Sequence, residues 1–396
     1  MQRLSQSPTD PGFVQDPYPC YARARAAGDI VWWTDYAMAV ATTHRAVGAL
    51  LRDPRLGREE PPETRQPAPD HLRDFYAVEH HSMLEREPPD HTRLRRSVLR
   101  AFTSRRVDGM RPEIVSLCDG LIDAFPDGAF DLLDAYARPL PVTIIARLIG
   151  LPETLNDQLL AWSSAMVGMY RAGRSRADED AANDAARDFA ALVSDRIAAL
   201  RRVPGDGLLS QLVHARDADT RLSDAEITAT AILLLNAGHE ATVHTLGNAV
   251  ALMLSRGVTP GDPVTDVEEL LRLDPPLHLF TRWIYEDCTL FDHPFRRGDR
   301  IGLLLASAGR DPAVFDRPDT FLPDRRGPAH LAFGAGPHFC LGAPLARLEL
   351  QIALPRLFAR KPGLRLADTP RFADIYHFHG LARLMVSAPA PGFIFP

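Results

Sequence analysis

The sequence predicts a mainly α-helical protein with small β-sheets, and three patterns carry this prediction. Helical periodicity dominates from Asp90 to about Leu200. A long apolar helix follows Ser223 with no proline to interrupt it. After Leu273, β-branched and aromatic residues alternate with prolines, which favours short strands and hairpins.

The composition is typical of a soluble globular enzyme and excludes several other classes. Hydrophobic residues make up 45% and charged residues 24% of the 396 residues. A net charge of -6 is too small to favour nucleic acid or a membrane surface as a partner. No apolar run approaches the roughly 20 residues of a membrane helix, and the N-terminus has no signal-peptide pattern. The four cysteines form no CxxC pair, so we expect a cytoplasmic protein without disulfides.

The first part of the chain predicts a β-like run, "DIVWWTDYAMAVATT", and then a helix that ends near "LLRDPRL". The proline- and acid-rich segment "EEPPETRQPAPDHLRD" predicts a long loop. The polar, alanine-rich segment "RAGRSRADEDAANDAARD" predicts the tip of a helix-turn-helix. We therefore expect a mobile lid around residues 165–185.

The long helix has a start and a stop signal. Ser223 and Glu226 form an S-x-x-E capping box, and Gly257 stands where a helix would end. The helix would run for roughly 33 residues, or about 50 Å. Because it is apolar nearly all round, we expect it to be buried.

Beyond this helix, the sequence predicts strands and one further helix. The segment "RRGD" predicts a turn between two short strands. The final helix is predicted from near Leu341 to about Phe358. The segment "DIYHFHGLARLMVSAP" predicts a last hairpin.

The centre of the long helix, "NAGHEATVHT", superficially resembles a zinc-protease motif. A zinc helix needs two histidines at i and i+4 on one face. His239 and His244 are five residues apart, which places them roughly 140° apart around the helix axis. The two histidines therefore cannot share an ion from one helix, and we interpret them as packing or partner-contacting residues.

The segment "FGAGPHFCLG", Phe333 to Gly342, carries the chemistry. Gly334 and Gly336 allow a tight turn and a close approach to a flat object. Cys340 directly precedes a predicted helix, whose N-terminal dipole and N–H groups favour a thiolate. A thiolate directed out of such a loop is a nucleophile or a metal ligand. The alternative is a buried structural cysteine.

The pattern F-G-x-G-x-H-x-C-x-G resembles the haem-binding loop of the cytochrome P-450 family. Further segments resemble other motifs of this family in the same order: "EPPDHTRLRRSVLRAFT" its haem-contacting helix, "LLLNAGHEAT" its distal helix, "EELLR" its E-x-x-R pair, and "RDPAVFDRPDTFLPDR" the segment that follows. The resemblance covers almost the whole chain. It implies a single haem-thiolate domain over residues 1–396, with haem between the long distal helix and the cysteine-bearing proximal loop.

The resemblance implies roles for individual residues. Cys340 would be the axial thiolate, and therefore the metal ligand, of haem b. The residues similar in position to those that hold the haem and its propionates are His91, Arg95, Arg282, Phe333, Gly334, His338 and Gly342. His91 and Arg95 would also fit a solvated helix face. Glu269, Arg272 and Arg325 would form a buried structural charge cluster.

The residues expected to act in catalysis are Gly238, Glu240, Ala241 and Thr242. Gly238 would let the helix open beside the iron, and Glu240 would relay protons. A salt-bridged structural role is the alternative for Glu240. The commonest family pattern has threonine directly after the acid, whereas this chain has Ala241 there and Thr242 one step later. We therefore hypothesise that ordered water or a substrate hydroxyl completes the relay.

An arginine-rich stretch without any acid predicts a positive surface. Its members are Arg93, Arg95, Arg96, Arg100, Arg105 and Arg106. The resemblance implies that an acidic ferredoxin docks here, near Arg93, Arg96, Arg100 and Arg105, to deliver electrons. A solvated helix face is the alternative. We expect no fused reductase domain, and a monomer.

Family position also implies a largely apolar substrate site. The residues concerned are Leu233, Asn236, Ala237, Ala241, Leu277, Leu279, Phe280, Tyr376 and Phe378, with the loop Phe75–Leu84, and Asn236, His278 and His377 are the expected polar handles. The expected function is monooxygenation of a small molecule with O₂ and external electrons, within secondary metabolism. The alternatives are a peroxide-driven or other haem-thiolate reaction, and a haem-based sensor.

Overall fold

The computed structural model describes residues 1–171, 173–215 and 221–388. These residues form fifteen α-helices, the longest of which is α12 with 33 residues. The helices are α1 Pro11–Gln15, α2 Tyr18–Ala27, α3 His44–Leu50, α4 Arg73–Glu79, α5 Asp90–Ala101, α6 Ser104–Gly109, α7 Arg111–Asp123, α8 Pro139–Ile149, α9 Asn156–Val167, α10 Arg176–Arg202, α11 Leu208–Val213, α12 Asp224–Arg256, α13 Pro263–Leu273, α14 Leu305–Gly309 and α15 Ala343–Arg360.

The strands within the described ranges are short and form four small sheets. They are β1 Arg3–Leu4, β2 Ile30–Trp33, β3 Met38–Ala41, β4 Leu56–Gly57, β5 Ala129–Asp131, β6 Leu279–Ile284, β7 Cys288–Leu290, β8 His293–Phe295, β9 Arg300–Leu304, β10 Arg365–Leu366, β11 Arg371–Phe372, β12 Leu381–Arg383 and β13 Met385–Ser387. The largest sheet has the order β1-β2-β3-β9-β6-β4. The other three are β10-β13-β5, β11-β12 and β7-β8. The fold class, mainly helical with small sheets, is as predicted.

The chain divides into two compact units. The first comprises Met1–Gly57, Arg111–Arg138 and Ala241–Pro396, and the second comprises Arg58–Met110 and Pro139–Glu240. All the strands described above belong to the first unit. Helix α12 contributes its residues up to Glu240 to the second unit and the remainder to the first.

In the first unit, side chains alternate between the two faces of the six-stranded sheet and build two apolar clusters. One face packs Phe13, Tyr21, Trp33 and Tyr376 in edge-to-face contacts, with ring centroids 5.3–5.9 Å apart. The other face buries aliphatic side chains such as Ile301 of β9. Because successive side chains of a strand point to opposite faces of the sheet, each strand contributes side chains to both clusters.

The second unit is a helical assembly in the described residues. Helix α10 packs along α9 through Trp162 and Phe189, whose rings stack at 5.4 Å. Helix α12 begins at the predicted capping box: Ser223 Oγ accepts from the Glu226 amide at 3.3 Å, and the Ser223 amide donates to Glu226 Oε2 at 2.8 Å. Glu226 also pairs with Arg93 of α5.

Several predicted boundaries agree with the structure and some are wrong. Gly257 ends α12 with φ +61°, and the segment "RRGD" is the turn between β8 and β9. The last hairpin is wrong, because β12 pairs with β11 while β13 pairs with β10 and β5. The loop after Gly57 is shorter than predicted, since α4 begins at Arg73. No helix among the described residues is long and apolar enough to cross a membrane.

Candidate functional site

The loop before α15 places a cysteine at the surface of the first unit. Gly336 adopts φ +71°, and a Cβ there would lie 2.6 Å from the carbonyl oxygen of Leu51, so only glycine fits. The Cys340 amide donates to the carbonyl oxygen of Phe333 at 2.9 Å and closes the loop. Helix α15 begins at Ala343 rather than at the predicted Leu341.

Cys340 differs from the buried cysteines of the chain. Cys20 and Cys118 are buried, and burial raises the pKa of Cys118 to about 11 and also raises the pKa of Cys20. Both therefore remain thiols. Cys340 is exposed. It lies two residues before Gly342, the N-cap of α15, which is a position suited to a thiolate that binds a metal.

A buried charge cluster lies in the same unit as this loop. Glu269 accepts from Arg272 Nε and Nη2 at 2.7 and 2.8 Å, and from Arg325 Nε at 3.2 Å. The side chains of Glu269, Arg272 and Arg325 are 4%, 3% and 9% exposed. The structure therefore brings together the three residues that the sequence grouped.

The same cluster fixes the irregular segment between β9 and the cysteine loop. Arg272 Nη1 donates to the carbonyl oxygens of Gly309 and Pro318 at 2.6 and 2.8 Å. Glu269 Oε1 accepts from the Leu322 amide at 2.9 Å. These hydrogen bonds satisfy backbone groups that have no partner in a helix or sheet ladder.

A second ionic group was not predicted from the sequence. Glu268 accepts from Arg347 of α15 at 2.6 and 2.9 Å and lies 3.2 Å from His330. Burial favours the neutral acid, but the hydrogen bonds from Arg347 and His330 prevail and lower the pKa of Glu268 to about 2. The Arg347 guanidinium also lies 4.6 Å from the Phe333 ring centroid. The sequence signal that could have indicated this group is Glu268, the acid before Glu269 in "EELLR", because the E-x-x-R motif does not account for it.

The cations expected to hold propionates lie on both units. In the first unit, Arg282 of β6 is 3% exposed, its Nη1 donates to the carbonyl oxygen of Thr281 at 2.9 Å, and His338 is half-buried in the cysteine loop. In the second unit, His91 is 3% exposed and Arg95 is half-buried, one turn apart on α5. The burial of His91 disfavours the solvated helix face that was its alternative.

In the second unit, Glu240 is flanked by a buried histidine. His239 is fully buried, and its Nε2 lies 3.2 Å from Glu240 Oε2. His239 Nδ1 lies 3.0 Å from the carbonyl oxygen of Leu235 and 3.3 Å from Ser163 Oγ. The sequence placed His239 among packing residues and did not predict its pairing with the acid.

Gly238 lies within α12 and packs closely against a neighbouring helix. A Cβ on Gly238 would lie 3.1 Å from Ile145 Cγ1 of α8. Gly238 therefore permits close helix packing, which no local pattern in the sequence can predict.

The residues after the acid follow the rotation expected for a helix. Ala241 is half-buried, whereas Thr242 is 5% exposed. A step of one residue turns the side chain by about 100°. Thr245 Oγ1 donates to the Ala241 carbonyl oxygen at 2.8 Å. Thr245 is thus bonded to its own helix, and the position beside Glu240 carries only a methyl group.

The expected substrate residues divide into accessible and buried sets. On α12, Leu233 and Asn236 are half-buried and Ala237 is exposed, although the helix is otherwise apolar and mostly buried. In the first unit, Leu277 and Phe378 pair as an isolated β-bridge. They are half-buried, as are Phe280 and His377. These residues retain surface that a ligand can contact.

Leu279 and Tyr376 do not fit the substrate prediction. Leu279 is 2% exposed and Tyr376 is 8% exposed, and both belong to the apolar cluster with Trp33. The Tyr376 hydroxyl is bonded to Tyr21 Oη at 2.9 Å. Their side chains face the sheet core, as does His278, which is fully buried. The segment Phe75–Leu84 is also not all loop, because Phe75 is a buried residue of α4.

The arginine-rich stretch is only partly free to meet a partner. Arg96, Arg100 and Arg105 are exposed. Arg93 is paired with Glu226, and Arg106 Nη2 donates to the Asp206 carbonyl oxygen at 2.7 Å. Arg93 is thus a weaker docking residue than predicted, since its charge is compensated within the unit.

Comparisons with known proteins agree with this arrangement. Residues 265–360 match the family model described as "Cytochrome P450". The chain is 37% identical over 380 residues to the cytochrome P450 monooxygenase PikC of Streptomyces venezuelae, covering 90% of this chain and 87% of that protein. The chain belongs to the cytochrome P450 family. It is also 37% identical over 391 residues to the vitamin D(3) 25-hydroxylase of Pseudonocardia autotrophica, covering 95% of this chain and 94% of that protein.

A solved cytochrome P450 structure has the same fold. P450BioI, solved with acyl carrier protein ligated to hexadec-9Z-enoic acid, matches with a TM-score of 0.89 and 32% identity over 96% of this chain and 100% of that chain. Members of this family are oxidoreductases that bind haem b through a cysteine thiolate. The residues of the first unit fit such a group, since the exposed Cys340 is the soft ligand and the buried Arg282 supplies positive charge.

We expect Glu269→Gln to lower the free energy of unfolding by about 3–5 kcal/mol, because two buried guanidinium groups lose their counter-charge. Urea unfolding followed by circular dichroism measures the change. Glu286→Gln, on the surface of the same unit, is the matched control and should change the value by less than about 0.5 kcal/mol. Equal values for the two variants would show that the cluster does not hold the fold.

Proposed function

We propose that this cytochrome P450 inserts one oxygen atom from O₂ into a largely apolar small molecule, with electrons from an external acidic ferredoxin. The observation that carries the proposal is the exposed Cys340 in its glycine-bounded loop, in a chain similar over nearly its whole length to a P450 monooxygenase. Haem with an axial thiolate supplies the O₂ activation and oxygen insertion when it is bound.

The proposed roles in haem binding follow the residues of each unit. Cys340 would supply the thiolate that holds the haem iron, and Phe333, Gly334 and Gly342 shape its loop. Four cations are assigned to the propionates: Arg282 and His338 in the first unit, and His91 and Arg95 in the second. Arg282 and His91 are each 3% exposed, so neither side chain belongs to a solvated surface, which supports this assignment.

Proton delivery is assigned to Glu240 and the histidine beside it. His239 Nε2 lies 3.2 Å from Glu240 Oε2, so the imidazole lies beside the carboxylate that is assigned to the relay. Ala241 provides no hydroxyl, and Thr245 donates to its own helix. The final donor is then water or a hydroxyl of the substrate.

The substrate class follows from the accessible apolar residues. Leu233, Ala237, Leu277, Phe280 and Phe378 are assigned to apolar contact, with Asn236 and His377 as polar handles. Burial, and to a lesser degree Arg300, lowers the pKa of His377 to about 4, so it would act as a neutral hydrogen-bonding group. Relatives named for polyketide biosynthesis support a role in secondary metabolism. A screen should include acyl chains on a carrier protein, as in the P450BioI complex.

The predicted lid around residues 165–185 remains part of the proposal, and residue 172 lies outside the described ranges. Within the lid, Tyr170 Oη donates to Glu79 Oε2 of α4 at 3.3 Å. Burial, and then the nearby Glu85, raise the pKa of Glu79 to about 7.

A cytoplasmic monomer is the state in which we expect the enzyme to work.

Cys340→Ser is expected to abolish the thiolate-type absorption shift of the reduced CO complex, because an alcohol does not replace the thiolate ligand. Difference spectroscopy of purified protein measures the shift. Cys288→Ser, a half-buried cysteine of β7, should retain it. A Cys340→Ser protein that keeps the shift would refute the ligand assignment.

Product formed with reduced ferredoxin but not with H₂O₂ alone distinguishes the monooxygenase from a peroxide-driven enzyme.

Glu240→Gln is expected to lower turnover at least tenfold, since a positioned general acid contributes roughly 10²–10⁴-fold. The product formed per electron consumed should fall with it, while Glu240→Asp should retain part of both. Ala241→Thr should raise the product formed per electron by supplying a hydroxyl beside the acid. Unchanged rate and coupling in Glu240→Gln would exclude the proton relay.

Reversing two exposed charges, as in Arg96→Glu with Arg105→Glu, is expected to slow reduction by an acidic ferredoxin about tenfold at low salt. The difference should shrink above roughly 0.5 M salt, where screening is strong. Stopped-flow reduction under CO measures the rate. Arg202→Glu, an exposed arginine at the end of α10, is the control. A rate independent of salt would count against this docking surface.

A further inference from the structure

The first unit contains a buried cluster of one carboxylate and two imidazoles that the oxygenase chemistry does not use. It consists of Asp274 after α13, His278 before β6 and His379 before β12, whose side chains are 13%, 0% and 6% exposed. Asp274 Oδ1 lies 2.9 Å from His379 Nδ1 and 3.6 Å from His278 Nε2. One ligand atom from each residue lies within 4.8 Å of the others.

These spacings suit a transition-metal ion. Zinc binds histidine nitrogen and carboxylate oxygen at about 2.0–2.2 Å, so neighbouring ligand atoms of a tetrahedral site lie roughly 3.3 Å apart. The two measured separations fall on either side of this value. Two imidazoles and a carboxylate are also the ligand types that zinc accepts.

One ligand atom lacks any other partner. His278 Nε2 is buried and has no hydrogen bond to any described residue, and Asp274 Oδ1 lies 3.6 Å from it. Buried side-chain nitrogens without a hydrogen bond are uncommon in folded proteins.

Neighbouring side chains already orient the ligands. Tyr21 Oη lies 3.0 Å from His278 Nδ1, which leaves Nε2 directed at the carboxylate. Tyr18 Oη donates to Asp274 Oδ1 at 2.5 Å. Asn248 Nδ2 donates to Asp274 Oδ2 at 3.3 Å and to the His379 carbonyl oxygen at 2.8 Å. Metal sites characteristically have such an outer layer of hydrogen bonds.

We propose that Asp274, His278 and His379 bind a structural zinc ion, with the Tyr18 hydroxyl as a hydrogen-bond donor to the Asp274 carboxylate. The ion joins two backbone segments that are already hydrogen-bonded. The His278 amide donates to the His377 carbonyl oxygen at 3.0 Å, and the His379 amide donates to the Pro276 carbonyl oxygen at 2.9 Å. Leu277 and Phe378, on these segments, are proposed substrate contacts. The substrate contacts of Leu277 and Phe378 rest on the proposed function, whereas the zinc site does not.

The test is the zinc content of the full-length haem protein. The protein is produced in zinc-supplemented medium and purified without chelators or a polyhistidine tag, and elemental analysis measures zinc and iron in one sample. We expect about one zinc per chain in the wild type and below about 0.1 in His278→Gln and Asp274→Asn. His214→Gln, an exposed histidine of the second unit, should retain the wild-type content.

Zinc-depleted protein provides the second measurement. Wild-type protein produced in zinc-depleted medium should melt at a lower temperature than the zinc-replete protein, because a ligand of the native state raises its stability. Wild-type zinc below about 0.1 per chain, or full zinc in His278→Gln, would overturn the site. If neither variant folds, the wild-type zinc content decides alone. Iron content and the CO spectrum report separately on the haem, so failure of the proposed function is distinguishable.

Discussion

The constraint on which the first unit depends is the burial of the Glu269 carboxylate with two guanidinium groups. Its oxygens accept from Arg272, from Arg325 and from the Leu322 amide. Arg272 then holds the Gly309 and Pro318 carbonyl oxygens. A segment with little regular structure thus obtains its backbone partners from side chains of one helix, α13. The adjacent Glu268 reaches α15 on another face, so α13 fixes both the approach to the cysteine loop and the helix that follows it.

Helix α12 illustrates a different constraint, because the close approach of Ile145 limits the size of the residue at Gly238. His239 faces Ser163 and Glu240 in the second unit, and Gly238 accepts the approach of Ile145. A larger residue at Gly238 would separate two helices. The packing of α12 therefore positions Glu240. Alanine in place of the family's usual threonine at position 241 removes a hydroxyl group and leaves the helix geometry unchanged.

Local signals in the sequence predicted the features that depend on a few neighbouring residues. The capping box at Ser223 and the turn "RRGD" have local causes, and so do the positive φ angles of Gly334 and Gly336, whereas the close approach of Leu51 to Gly336 is a tertiary contact. The role of Gly238, the core positions of Leu279 and Tyr376, and the pairing of β13 depend on residues far away in sequence. The pairing of Arg93 with Glu226 likewise spans 133 residues. Sequence position alone does not reveal such contacts.

Helix α13 and the residue that follows it carry the buried carboxylates of Glu269 and Asp274, whose negative charges are balanced by different groups. Glu269 is neutralised by arginines, which keep their charge at any pH at which the enzyme works. Asp274 instead faces the imidazoles of His278 and His379, and interactions with them outweigh burial and lower its pKa. Imidazole compensation changes when a proton or a metal ion binds or leaves. A change of metal content is therefore expected to act on the segments that carry Leu277 and Phe378, while the cysteine loop keeps its position.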